Sequence, residues 1–185
     1  MDVISESYRQ QQTELHEKGN YGVTGGKYAP LVSEIINRLE VQHVLDYGCG
    51  RNLSLMRALK ADHKFKYQAY DPAVEAFSSD PAPAEMVCCI DVLEHIEPDK
   101  IENVLDHLME LTEAVAFITV STGPAMKVLS DGRNAHLIQQ PAEWWLPRLM
   151  ARFDLHTFQV SGTDSFYCVL YARGAIENAE GTKLS

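Results

Sequence analysis

The chain has no C-x-x-C pair, no apolar run approaching the roughly 20 residues of a membrane span, no internal repeat and no low-complexity tract. Without such a run it is not expected to cross a membrane. The start, MDVISESYRQQQTELHEK, lacks the basic flank and apolar stretch of a secretory signal, so the cytoplasm is the expected compartment. Basic residues are scarce as well. Lys and Arg total 16 against 26 Asp and Glu, and the resulting net charge of −10 repels phosphate backbones, which sets bulk nucleic acid aside as a partner. Cysteine is limited to Cys49, Cys88, Cys89 and Cys168. Adjacent Cys88 and Cys89 point to opposite faces of any strand, so reduced packing thiols are expected rather than a bridge or a shared ligand.

What is present suffices for one core: 185 residues, 45% of them hydrophobic, are expected to form a single domain over 1–173. Within it, 1–29 is read as an N-terminal helix followed by a loop, GNYGVTGGKYAP, in which Tyr21, Tyr28 and the surrounding glycines form a lid. The polar end, 174–185, is expected to be disordered. From Pro30 the spacing of Leu31, Ile35, Ile36 and Leu39 predicts a helix, because proline suits a first turn. Strands are expected at HVLDY, FKYQAY, EMVCCIDV and AVAFITVS. Helices are expected at LSLMRALK and at 99–111, where Ile101, Val104, Leu105, Leu108 and Leu111 share a face. A helix opened by Pro141 contains Pro147, which should kink or split it, and DLHTFQVSG and SFYCVLYAR should close the chain as an antiparallel hairpin. Only about fifteen residues separate the second and third strands, half the roughly thirty that a complete crossover unit needs. The fold class is therefore α/β: a Rossmann-like three-layer sandwich, mostly parallel, with a C-terminal antiparallel hairpin and a truncated edge after the second strand.

In such sheets ligands bind beyond the carboxyl ends of the strands. The first turn, VLDYGCG, carries two glycines that let a ligand approach the backbone, and Asp71 ends the second strand where a carboxylate can accept both hydroxyls of a ribose. The dinucleotide pattern G-x-G-x-x-G is missing, since Asn52 and Leu53 stand where its third glycine would fall. VLDYGCG, YDP and CIDVLEHI together resemble the first, second and fourth motifs of class I S-adenosylmethionine-dependent methyltransferases, closely over residues 43–96. The resemblance implies S-adenosylmethionine as cofactor. It places Gly48 and Gly50 along the methionine part, Asp46 at the amino group, Asp71 at the ribose with Tyr47 and Pro72 beside these two, and Asp91 near the methionine end. The chain departs from the family where the third strand and its acidic adenine contact would fall; Asp80 is a weak substitute for that contact.

Asp91-Val92-Leu93-Glu94-His95 has the form D-x-x-E-H, which can turn two carboxylates and an imidazole toward one point. Oxygen ligands with a histidine suit Mg²⁺ or Mn²⁺, and His136 is a candidate fourth ligand. The arrangement is similar to that of small-RNA terminal 2′-O-methyltransferases and ubiquinone-pathway O-methyltransferases. The alternative leaves Glu94 as a helix-start residue and His95 as general base or packed side chain. Lys127, Arg133 and His136 make the loop after the fourth long strand locally basic, fit for a phosphate, carboxylate or sugar acid, or simply for solvent. Of Trp144 and Trp145, one packs and the other is free to line an acceptor pocket. The expected function is methylation of a hydroxyl on a small molecule or carbohydrate, with His95 and Glu94 as catalytic residues or Asp91, Glu94, His95 and His136 as metal ligands. RNA-terminal 2′-O-methylation and a catalytically silent cofactor- or partner-binding module are the alternatives.

Overall fold

A computed structural model describes residues 2–17 and 24–175. Six strands form one sheet: β1 (His43–Tyr47), β2 (Lys66–Tyr70), β3 (Ala84–Ile90), β4 (Thr112–Ser121), β5 (Phe153–Val160) and β6 (Ser165–Ala172), in the order β2-β1-β3-β4-β6-β5. The first four are parallel, and β6 joins β4 and β5 antiparallel. The strand order turns back beside β1, so β1, β2 and β3 end around the crevice where open α/β sheets hold ligands. β2 is left as the sheet edge, because the short link to β3 holds only a 3-10 turn, Glu75–Phe77.

Period-two alternation sorts the core onto the two faces of the sheet. Val44, Met86, Cys88 and Phe117 pack under α2 (Gly25–Leu39) and α3 (Ser54–Ala58). Leu45, Val87, Cys89 and Ile118 pack under α4 (Ile101–Leu111) and α5 (Ala142–Met150). Cys88 and Cys89 thus bury on opposite faces, and all four cysteines are free and buried. The five apolar positions expected to face inward from α4 are its five buried residues. No helix among the described residues is long and apolar enough to cross a membrane.

Three local expectations are corrected. The helix expected from Pro30 begins five residues earlier, at Gly25, where a Cβ would stand 3.0 Å from the Leu55 Cβ. Glycine serves close helix packing rather than a loop. Tyr28 consequently lies inside α2, its ring 5.8 Å from that of Phe117 in the core rather than over a ligand. Pro147 does not split α5, which runs unbroken over Ala142–Met150 with Pro147 and Glu143, whose carbonyl loses its N–H partner, both on its exposed side. Tyr21 and the tail from 176 onward lie outside the described residues.

Candidate active site

The turn after β1 is built for close approach. Gly48 has φ +77° and Gly50 φ +60°, and a Cβ on Gly48 would stand 2.4 Å from Val92 Cγ2. The N–H groups of Gly48 and Cys49 both donate to the Tyr70 carbonyl, at 2.7 and 3.0 Å, which ties the turn to the end of β2. Asp71 completes the tie: its Oδ2 accepts the Gly50 N–H and its Oδ1 the Ala73 N–H, each at 3.0 Å. A carboxylate has about four lone-pair directions, so Asp71 keeps accepting capacity beyond these two bonds. Residues 46–50 and 71 therefore meet, and they open on one cavity of about 480 Å³ lined by Asp46, Tyr47, Gly48, Gly50, Asp71, Pro72 and Asp91. Small-molecule sites typically measure about 300–1,000 Å³.

Three carboxylates share this cavity. Asp46 accepts a short hydrogen bond from the Tyr67 hydroxyl, yet burial lifts its carboxyl to about 7. Burial likewise raises Asp71, against the opposing effect of His16. Asp91 occupies a left-handed conformation, φ +60°, which costs a non-glycine residue energy and is held by its neighbours. Its N–H donates to Thr119 Oγ1 at 3.0 Å, and Thr24 donates to its Oδ2 at 2.9 Å. Burial works to raise the Asp91 carboxyl, but hydrogen bonds from Glu94 and Thr24 outweigh it and hold the group below its ordinary range.

Glu94 is fully buried, and its Oε1 accepts the Ser121 N–H at 2.7 Å. Burial first, and then the Asp91 charge, push Glu94 far above the carboxylate range. His95 and His136 both point Nδ1 at a carbonyl, that of Ala135 at 2.8 Å and that of Gly123 at 2.7 Å. Carbonyls only accept, so in both rings Nδ1 carries a hydrogen. The rings meet edge to face with centroids 4.6 Å apart, and burial together with His136 pushes His95 down to about 4, leaving it neutral near pH 7.

The four proposed metal ligands do not form a metal centre. Among the described residues no group of three or more His, Cys, Asp or Glu side chains could hold an ion. Glu94 turns its Oε1 to the Ser121 N–H, and burial raises its carboxyl. Asp80 is exposed and stands apart from the cavity, as do Trp145, buried with its Nε1 donating to the Gln140 carbonyl, and Trp144, which stacks under Arg148. Of the basic loop, Lys127 and His136 reach the cavity wall, while Arg133 pairs with Asp131 at 2.7 Å outside it.

The expected N-terminal helix is α1 (Glu6–Glu17); the motifs gave no sign that it roofs the cavity, as it does through Tyr8, Gln12 and His16. It is anchored by Ser5 on Glu97, the Tyr8 hydroxyl on the His95 carbonyl at 2.5 Å, and Thr13 on the Ala73 carbonyl at 2.9 Å. His16 Nε2 lies 3.7 Å from Asp71 Oδ2. The spacing of Tyr8, Gln12 and Leu15 is helical, but a glutamine inside the stripe hides the buried face.

Residues 24–161 match the model of a family described as a methyltransferase domain. A comparison with curated proteins finds no significant match in sequence. Among solved structures, the fold is similar to that of DhpI in complex with SAH (TM-score 0.61, 15% identity, covering 91% of this chain and 98% of that one). It is similar to the Burkholderia thailandensis 1,6-didemethyltoxoflavin-N1-methyltransferase with bound 1,6-didemethyltoxoflavin and S-adenosylhomocysteine (TM-score 0.62, 16% identity, covering 89% and 86%). It is also similar to an O-methyltransferase family protein from Burkholderia thailandensis (TM-score 0.61, 12% identity, covering 94% and 64%).

Proposed function

The chain belongs to the methyltransferase-domain family, and from that premise we propose that it methylates a hydroxyl of a small molecule or sugar with S-adenosylmethionine as donor. The observation that carries the reading is one cavity with two chemistries: Asp46, Asp71 and Asp91 at the ends of β1, β2 and β3, and the imidazoles of His95 and His136 beyond β3 and β4. Three desolvated carboxylates in one wall are costly without a cation. When bound, S-adenosylmethionine supplies an activated methyl group on a sulfonium, together with an ammonium.

The residues present fit that molecule. Gly48 and Gly50, both at positive φ, line the methionine part, Asp46, oriented by Tyr67, pairs with the ammonium, and Asp71 accepts from the ribose. Asp91, fixed by Glu94 and Thr24, keeps its negative charge at the methionine end. His95, neutral and with its lone pair on Nε2, orients the acceptor hydroxyl and receives the proton that it gives up. No step is assigned to a metal.

The test is turnover of the full chain with methyl-labelled S-adenosylmethionine and small-molecule extracts, followed by mass spectrometry. Label in a methyl ether is expected; no transfer, or label only on nitrogen, sulfur or carbon, would overturn the reading.

A further inference from the structure

An S-adenosyl group brings a base beside its amino acid and ribose, and the base needs a contact of its own. β2 is the sheet edge and Asp80 stands apart from the cavity, so among the described residues neither a strand beyond β2 nor that carboxylate meets it. The cavity itself reaches over both faces of the sheet. Gly25 of α2 and Leu55 of α3 wall it on one face, and Val104 of α4 walls it on the other, with Val92 and Ile96 packed on the same core as Val104.

These two sides differ in chemistry. The first holds the glycine turn and Thr24, whose hydroxyl donates to Asp91, and so belongs to the methionine part. The second is largely apolar. It continues from Pro72, the residue after Asp71, through Val92, Ile96 and Val104, and Val3 and Ile4 complete its lining. A base has apolar faces and polar edges, so a slot of this kind beside the ribose carboxylate suits it.

Val3 and Ile4 are held in place by the residues on either side of them. Asp2 pairs with Lys100 at 2.5 Å, and its carbonyl accepts from Asn103 Nδ2 at 2.9 Å. Ser5 donates its N–H and its hydroxyl to the two oxygens of Glu97, at 2.8 and 2.6 Å. Residues 2–5 thus form a strap across the start of α4. Both apolar side chains of the strap are half-buried, which leaves each with surface to cover a bound group.

Resting on the proposed function, we infer that Val3 and Ile4 cover the adenine of S-adenosylmethionine in the slot formed by Pro72, Val92, Ile96 and Val104. The strap replaces the contact that a further edge strand would make.

The test is NMR on the full chain with isotope-labelled Val and Ile methyl groups, saturated with S-adenosylhomocysteine. Nuclear Overhauser contacts between the adenine ring protons and the methyl groups of Val3 or Ile4 are expected. Val3→Ala combined with Ile4→Ala should weaken S-adenosylhomocysteine by about tenfold or more, because several methyl groups that cover the base are removed. Saturable binding in which neither side chain shows contact with the base, or an affinity that the double substitution leaves within about twofold, would overturn the inference. Failure of S-adenosylhomocysteine to bind the parent chain would instead overturn the proposed function.

Discussion

His95 and His136 meet edge to face at 4.6 Å, each with its Nδ1 hydrogen committed to a backbone carbonyl. The pair comes from two different strand ends, and the loop after β4 supplies the carbonyl for both rings, Ala135 for His95 and Gly123 for His136.

This makes His95 the residue whose loss separates chemistry from binding. His95→Ala is expected to lower kcat by about 10²–10⁴, the usual worth of a positioned base, and to leave S-adenosylhomocysteine affinity nearly unchanged. Steady-state kinetics beside calorimetry on the same variant checks it; an equal loss in both would assign His95 to the cofactor instead.

Glu94 should behave as a neutral carboxylic acid. Gln reproduces its shape, with an oxygen for the Ser121 N–H and an N–H for Asp91, so Glu94→Gln is expected to fold and turn over within about threefold of the parent. Glu94→Ala leaves a buried N–H unpaired and should cost about 1–3 kcal/mol in denaturant titration. A chelator should leave the rate unchanged, whereas a metal centre would make Glu94→Gln and chelation equally damaging.

Asp46 predicts a pH dependence whose sign can be worked out. Its folded carboxyl is lifted to about 7 while an unfolded one titrates near 3.9, so the folded apo chain holds an extra proton between these values. The stability this confers is present at low pH and is lost as pH rises through about 7. Cofactor pairing needs the ionised form, so S-adenosylhomocysteine affinity should rise about tenfold from about pH 6 to about pH 8. Asp46→Asn should abolish that slope, weaken binding, and raise the apo Tm at about pH 8 by a few degrees, about 2–4 °C per kcal/mol.

Gly48 tests the cradle. Ala there meets a positive φ, worth about 1–2 kcal/mol, and a clash with Val92. Gly48→Ala is expected to lose cofactor binding, and Val92→Ala in the same chain should recover the part of the stability due to the clash and leave the part due to φ. Full recovery would show that backbone strain is absent.

Much of this was legible from residue order. The fifteen-residue gap after β2 announced the truncated edge, and the spacing in α4 announced its buried face, because both follow from local periods and chain length. The turn at 46–50 and its partner Asp71 were legible from glycines and acids at strand ends. What depends on burial was not. Glu94 reads as a ligand until the Ser121 N–H and the buried Asp91 charge make it an acid. Gly25 reads as a loop until Leu55 packs on it.

The central claim is that the crevice formed by residues 46–50 and 71 binds an S-adenosyl group. Isothermal titration of the full chain with S-adenosylhomocysteine tests it most directly. The account predicts one site per chain, weakened about tenfold or more by Asp71→Ala, since a buried hydrogen-bonding pair is worth about 1.5–3 kcal/mol. Absence of saturable binding, or binding that Asp71→Ala does not alter, would contradict it.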